Sequence, residues 1–344
     1  AKLRKGSTMA ETTNLSLDHV RAIAKEILVK AGMDQQGSDV LADLVRSSER
    51  DGPSSHGLRM LPVYAQSFAS GYANGAANPT VTRTAPGVLR GDGDNGYYQV
   101  VRKMAEKGLI ALTRENGVAS FTCANCHHLG AMRFDTEPLA EAGLLAIGVV
   151  NSLSMVVPHG GTKPVFGTNP MSFAAPRVGN APIVWDQASS VVAMMDVRMA
   201  AAEGRNLPLD GGLDASGART RDANAILESC SFLPFGEHKG SAIALMVEIM
   251  GAALAGGTLA VDNAEREAKG GLNVKGGCTL IAMDPEKFGN SAFDEYITCI
   301  CAEIDGNGDA RVPGDGRLKR REDRDACGID VPVELLDQLD ALRV

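Results

Sequence analysis

The chain lacks the cysteine spacing of a disulfide scaffold. Cys123, Cys126, Cys230, Cys278, Cys299, Cys301 and Cys327 are an odd seven scattered through 344 residues, so free thiols are expected. It also lacks a positive balance. A formal net charge of −8 disfavours a large phosphate-tracking surface, because nucleic-acid affinity is built from clustered Lys and Arg. A small anionic ligand needs only a local basic pocket. No charged segment leading into an apolar run follows Met9, so no secretory signal and a reducing, cytoplasmic setting are expected. Ala1 to Thr8 read as an added leader outside the fold, with Met9 as the natural start. The longest apolar run, Gly240 to Gly257, contains Glu248 and several small residues, which fits a buried core helix better than a membrane span. A G-x-S-x-G elbow and an H-E-x-x-H pair are missing, which weakens serine-hydrolase and metalloprotease readings, and no internal repeat is found.

With 44% hydrophobic and 22% charged residues, the chain can bury a substantial core and divide into about two domains. Ser16 is placed to cap a helix running through Ile23, Ile27 and Leu28, which Gly32 ends, and a second helix follows from about Ser38 to Arg50. Asp51 to Gly57 is turn chemistry; Leu58, Leu61, Tyr64 and Phe68 then recur at helical spacing, so His56 sits at a helix entrance. From Pro79 the pattern changes to short β-type runs at Val81 to Thr84, Val118 to Thr122 and Leu145 to Val150. Between them, Tyr97 to Asn116 places Val101, Met104, Ala105 and Leu112 on one helix face. Helices return around Ala292 to Glu303, Leu318 to Asp325 and Val333 to Leu342.

Three motifs promise more than they hold. Gly91 to Gly96 matches G-x-G-x-x-G, but Asp92 and Asp94 would set carboxylates beside a pyrophosphate, and an exposed hairpin or helix-entry turn fits better. Cys123 to His127 matches the C-x-x-C-H pattern of haem attachment without an export signal or further zinc ligands. Asp305 to Asp309 begins like a calcium loop, yet Ala310 and Gly316 occupy positions that need Gly and Glu. No metal is expected.

The informative signal is a set of short polar clusters: Ser55-His56-Gly57, His127-His128-Leu129-Gly130, Val157 to Gly161, Phe166 to Pro170, and Gly236 to Gly240. Five of the six histidines lie in them. A single such histidine is more often structural, but glycine beside each one favours ligand-facing loops. With these motifs, and with Asp51 to Tyr64, Gly117 to Pro176 and Leu233 to Gly257, the chain resembles the malate/L-lactate dehydrogenase-like family over about residues 15 to 335. That family includes malate, sulfolactate and ureidoglycolate dehydrogenases. Leu233 to Ser241 and Arg311 to Asp315 resemble its Δ1-piperideine-2-carboxylate/Δ1-pyrroline-2-carboxylate reductases in particular.

The resemblance implies an α/β fold of non-Rossmann type. Residues 10–78 with 292–344 would form a helical domain, and 79–291 a central NAD(P)-binding domain with a largely antiparallel sheet. It implies His56 as proton donor, with Ser55 and Asp196 as the relay that orients it. Reducing C=N or C=O leaves electron density on nitrogen or oxygen, so a positioned acid with a near-neutral pKa lowers the barrier. For Asp196 alone, a helix cap before Val197 to Ala202 is the plain alternative. Thr168 matches the family's substrate-binding Thr. The cation usual four residues after the catalytic His is here Met60; Arg59, next to it, could reach the same carboxylate or be a solvated surface residue. For the cofactor, the resemblance extends to His128, Leu129, Gly130, Ala131 and Met132; to Asp186, Gln187 and Ala188; to His238 and Lys239; and to Arg311, Val312, Pro313, Gly314, Asp315, Gly316 and Arg317. A helix N-terminus at His238 and added charge from Arg311 and Arg317 suit phosphate, although each alone could be a surface charge. The expected activity is NADPH-dependent, or NADH-dependent, reduction of a small cyclic 2-imino carboxylate by a homodimer. A 2-hydroxy-acid dehydrogenase is the alternative, and a non-catalytic nucleotide-binding protein the alternative of another class. Neither nucleic acid nor membrane is an expected partner.

Overall fold

The computed structural model describes residues 11–52, 56–128, 130–263 and 274–343. The expectations for Ala1 to Met9, Ser55 and Leu129 therefore fall outside the described residues. The chain opens with β1 (Thr12–Leu15) and α1 (Leu17–Lys30), whose Ser16 cap accepts the His19 N–H at 3.2 Å. Gly32, at φ +102°, takes the left-handed conformation that ends it. Next come α2 (Gln35–Asp51), capped by Asp34, a 3-10 turn at Leu58–Met60, and α3 (Leu61–Ala69). The middle of the chain supplies β2 (Thr80–Ala85), β3 (Val88–Tyr97), α4 (Tyr98–Asn116), β4 (Val118–His128), α5 (Arg133–Glu141), β5 (Leu145–Val150), β6 (Met171–Ala175) and β7 (Ile183–Gln187). A smaller lobe follows with α6 (Met194–Ala202), β8 (Gly212–Leu213), β9 (Arg219–Thr220), α7 (Ala223–Ser229) and α8 (His238–Glu248), the last prolonged as a π-helix over Ile249–Leu254. The chain then runs through α9 (Ala260–Asn263), β10 (Val274–Met283), α10 (Phe293–Asp305), α11 (Asp315–Cys327), β11 (Ile329–Pro332) and α12 (Val333–Asp340).

One seven-stranded sheet dominates, in the order β2-β3-β4-β10-β5-β6-β7. Only β3 and β4 run parallel; the other pairings are antiparallel, as expected, and unlike a doubly wound sheet. One buried cluster is drawn from both chain ends, Leu15 to Ala73 with Ile329 to Leu339, and adds Tyr97, whose ring meets Tyr64 edge-on at 5.0 Å. A second packs α4 and α5 on the sheet through Val101, Leu109, Phe121, Leu139 and Leu280. A third fills the smaller lobe around Val156, Val197, Ile226 and Phe232.

Four expectations are corrected. Gly91 to Gly96 is not an exposed turn but part of β3, bulged between Asp92 and Gly96, with Asp94 and Asn95 at positive φ. A Cβ on Gly91 would meet Val101 at 2.8 Å and one on Gly93 would meet Cys126 at 2.5 Å, so both glycines serve close packing. Met104 is 45% exposed rather than on the buried face with Val101, Ala105 and Leu112. Gly240 to Gly257 is not buried all round: Ala244, Val247 and Ala252 face the core, while Leu245, Ile249 and Leu254 are exposed. His127 is fully buried in β4 against Tyr72 and Tyr97 instead of facing a ligand.

Candidate active site

His56 is half-buried one residue before Gly57, the start of the 3-10 turn. The turn is held against the end of α2: Glu49 Oε1 accepts the Leu58 N–H at 2.8 Å. Arg59 points to solvent, and Met60 is half-buried against the core from both chain ends. Asp196 is exposed in the first turn of α6. That helix starts at Met194 with Ala193 at its N-cap, so Asp196 is not the cap that its position before Val197 suggested.

The other expected segments converge on the stretch from β7 to the start of α6. Thr168 is half-buried, and its carbonyl accepts both the Ser189 N–H at 2.7 Å and the Ser189 hydroxyl at 2.9 Å. Thr168 therefore lies beside Ala188. Ser189 in turn accepts the Phe235 N–H at 2.9 Å, and the Val191 N–H donates to Leu233, which fixes the turn leading to His238 and Lys239 at the exposed start of α8. Gly240 is buried there and must be glycine, since a Cβ would lie 2.1 Å from the Phe235 carbonyl. From the other side the Val184 N–H donates to Pro313 at 3.3 Å. Gly314, at φ +104°, lies so close to β7 that a Cβ would meet the Val184 carbonyl at 3.0 Å. Val312 is buried, Arg311 and Gly316 are exposed, and Asp315 takes both amino nitrogens of Arg177 at 2.7 and 3.3 Å. Gly130, at φ +141°, Ala131 and Met132 connect His128, the last residue of β4, to α5. Arg133, the first residue of α5, donates its N–H to Asp186 at 3.1 Å.

A buried ion network ties these segments to the His56 turn. Asp51, the last residue of α2 and fully buried, receives Arg321 Nε and an amino nitrogen at 2.7 Å each, and Arg133 Nε at 3.2 Å. Arg321 also makes a two-point pair with Glu137 at 2.7 Å. Burial alone would raise the Asp51 carboxyl, but Arg321, Arg50 and Arg133 outweigh it and hold it below its usual range. Among the described residues, Arg317 stands beside this network with no carboxylate paired to it and with its buried Nε lacking a hydrogen-bond partner; one amino nitrogen reaches the Val184 carbonyl at 3.4 Å, and burial lowers its pKa. A buried guanidinium left short of an acceptor is suited to an anionic group. At the other end, Arg219 chelates the exposed Glu237 at 2.7 and 2.8 Å and pushes its pKa down to about 2. His159 bonds the same carboxylate at 3.1 Å. Glu237 adopts φ +61°, a strained conformation for a non-glycine residue.

Sequence reasoning missed Glu49, Asp51, Arg133, Glu137, Ser189 and Arg321. The partners of the ion network lie 82, 184 and 270 positions apart, beyond any local pattern. Arg133 and Ser189 left a trace, because each directly follows an expected cofactor segment, at Met132 and at Ala188. Among the described residues no group of three His, Cys, Asp or Glu could hold a metal ion, and no helix is long and apolar enough to cross a membrane.

Residues 15–340 match the malate/L-lactate dehydrogenase family. A Δ1-pyrroline-2-carboxylate/Δ1-piperideine-2-carboxylate reductase of Pseudomonas syringae pv. tomato is 39% identical over 331 residues, 96% of each chain. A (2R)-3-sulfolactate dehydrogenase (NADP(+)) of Chromohalobacter salexigens is 32% identical over 96% of this chain and 98% of its own. The crystal structure of the Δ1-piperideine-2-carboxylate reductase from Pseudomonas syringae superposes with a TM-score of 0.93 at 39% identity, covering 96% of this chain and 100% of that one. Sulfolactate dehydrogenase of Methanocaldococcus jannaschii, with a TM-score of 0.86 at 24% identity, shares the fold. Near end-to-end agreement in sequence and in structure means that the chain belongs to the malate/L-lactate dehydrogenase family.

Proposed function

We propose that this NAD(P)-dependent oxidoreductase reduces Δ1-piperideine-2-carboxylate and Δ1-pyrroline-2-carboxylate to L-pipecolate and L-proline, with NADPH as its preferred cofactor. The observation that carries the reading is the convergence of Thr168, Asp186 to Ala188, the His238 turn and Arg311 to Arg317 on one sheet edge, with Arg317 short of an acceptor. The names of the relatives that align end to end supply the substrate class. A bound nicotinamide cofactor would supply the hydride for the imine carbon. His56 gives the proton to the ring nitrogen, so C=N becomes CH–NH, while Ser55 and Asp196 orient its imidazole and favour its charged form. Thr168 donates its hydroxyl to one carboxylate oxygen, and Arg59 turns in to meet the other, since Met60 is committed to apolar packing. His128 to Met132, Asp186 to Ala188, His238 with Lys239, and Arg311 to Arg317 hold the dinucleotide. The protein works as a cytoplasmic homodimer, with 10–78 and 292–344 as its helical domain and 79–291 as its cofactor domain. The exposed stripe of Leu245, Ile249 and Leu254 supports the dimer.

The test follows NADPH and NADH oxidation with the two cyclic imines, pyruvate and oxaloacetate, for wild type and His56→Ala. Imine turnover that falls by about 100-fold or more in the variant is the expected result. Imine inactivity with His56-dependent keto-acid turnover would assign the chain to the 2-hydroxy-acid dehydrogenases instead. Nucleotide binding with no turnover of any of the four would leave a non-catalytic nucleotide-binding protein.

A further inference from the structure

We propose that Glu49 is a positioning residue for the proton donor: its buried carboxylate caps the turn that carries His56 and fixes that turn against the end of α2. The inference rests on the reading of His56 as the proton donor. Glu49 is 6% exposed, in a position where an ionisable side chain is costly unless it is given partners. Its Oε1 accepts the Leu58 N–H at 2.8 Å. That N–H opens the 3-10 turn at Leu58–Met60, and the residue ahead of it is Gly57, which has no side chain with which to cap the turn. The first N–H groups of a helical turn lack partners within the turn and attract negative charge, so a carboxylate supplied from a neighbouring helix does the work of a missing cap.

The fit is mutual. A Cβ on Gly57 would lie 2.0 Å from Glu49 Oε1 and 2.5 Å from its Cδ, so the carboxylate reaches Leu58 only because residue 57 is glycine. The φ of Gly57, −94°, is not left-handed; the close approach of Glu49 is what leaves no room for a side chain here. Burial pushes the Glu49 carboxyl up, while the Leu58 N–H, Arg324 and Arg59 favour its charged form. Arg324 also donates to the Glu49 backbone carbonyl and so holds the end of α2 from α11. His56 is thereby fixed through the residue next to it, with no contact between Glu49 and substrate required. A displacement of about 1 Å at a reacting group costs about 100-fold in rate.

Three variants separate the possibilities, each measured for kcat per NADPH-binding site, for the KM of NADPH and for unfolding midpoint. Glu49→Ala removes the acceptor, and kcat is expected to fall about 10- to 100-fold while the KM for NADPH stays within about twofold. Glu49→Gln keeps an acceptor oxygen at the same reach and is expected to retain kcat within about threefold. Gly57→Ala keeps the carboxylate but crowds it away from Leu58, and is expected to match Glu49→Ala. Glu49→Ala or Gly57→Ala with wild-type kcat per site and only a lowered midpoint would make Glu49 merely structural and overturn the proposal. Equal loss in Gln and Ala variants would overturn it as well, since the acceptor would then not be what matters. His56→Ala measured alongside keeps the premise separate: an active His56→Ala enzyme removes the proton donor itself, whereas an inactive one beside a fully active Glu49→Ala sinks only the role of Glu49.

Discussion

His127 lies inside the molecule, with Tyr72 at 4.9 Å between ring centres and Nε2 3.2 Å from the Asn95 side-chain oxygen. Burial, and then Lys275, push its pKa from 6.5 down to about 4. A depressed pKa means that the unfolded chain binds the proton more readily. Stability is therefore fully present above pH 6.5 and is lost as pH falls toward 4, by about 3 kcal/mol at most for a shift of this size. Denaturant unfolding at pH 7 and pH 5 should show a smaller acid loss in His127→Gln than in wild type, and equal losses would contradict the assignment. The sequence could not separate His127 from its neighbour His128. Both sit in one glycine-flanked cluster, and only the fold shows that His127 is core. His56 was legible because turn residues precede it and helical spacing follows it.

At the scale of elements, the end of α2 joins two tasks: Glu49 holds the turn after it, and Asp51 anchors α5 and α11. Removing one partner of a buried ion pair leaves the other uncompensated, at a cost of about 3–5 kcal/mol. Asp51→Asn and Arg321→Gln should each lower unfolding free energy by an amount of that order. The double variant should lose clearly less than the sum, read by urea titration, because the two groups share one interaction. Strictly additive losses would show that the pair acts separately. The cap of α1 and the buried face of α3 could be read from the sequence, since each depends on residues within a few positions of one another. The ion network could not, because Asp51, Arg133, Glu137 and Arg321 are ordinary charged residues until the fold brings them together. Gly240 to Gly257 misled for a related reason. An apolar run shows that surface is to be covered, without saying whether the cover comes from the same chain.

Leu245, Ile249 and Leu254 leave apolar surface open on α8 and its π-helical continuation. Analytical ultracentrifugation should give twice the 36.0 kDa chain mass for wild type, and Leu245→Glu with Ile249→Glu should shift it toward the single chain. A wild-type monomer would exclude the proposed dimer. The largest consequence for the molecule's history comes from the pairing of β1 with β11, Thr12 to Leu15 against Ile329 to Pro332. The residues around α1 to α3 share one core with Ile329, Val331, Leu335 and Leu339. Because translation runs in sequence order, α1 to α3 emerge from the ribosome long before Ile329 to Leu339, and their apolar side chains wait unsheltered through that interval, when a chaperone would guard them against aggregation.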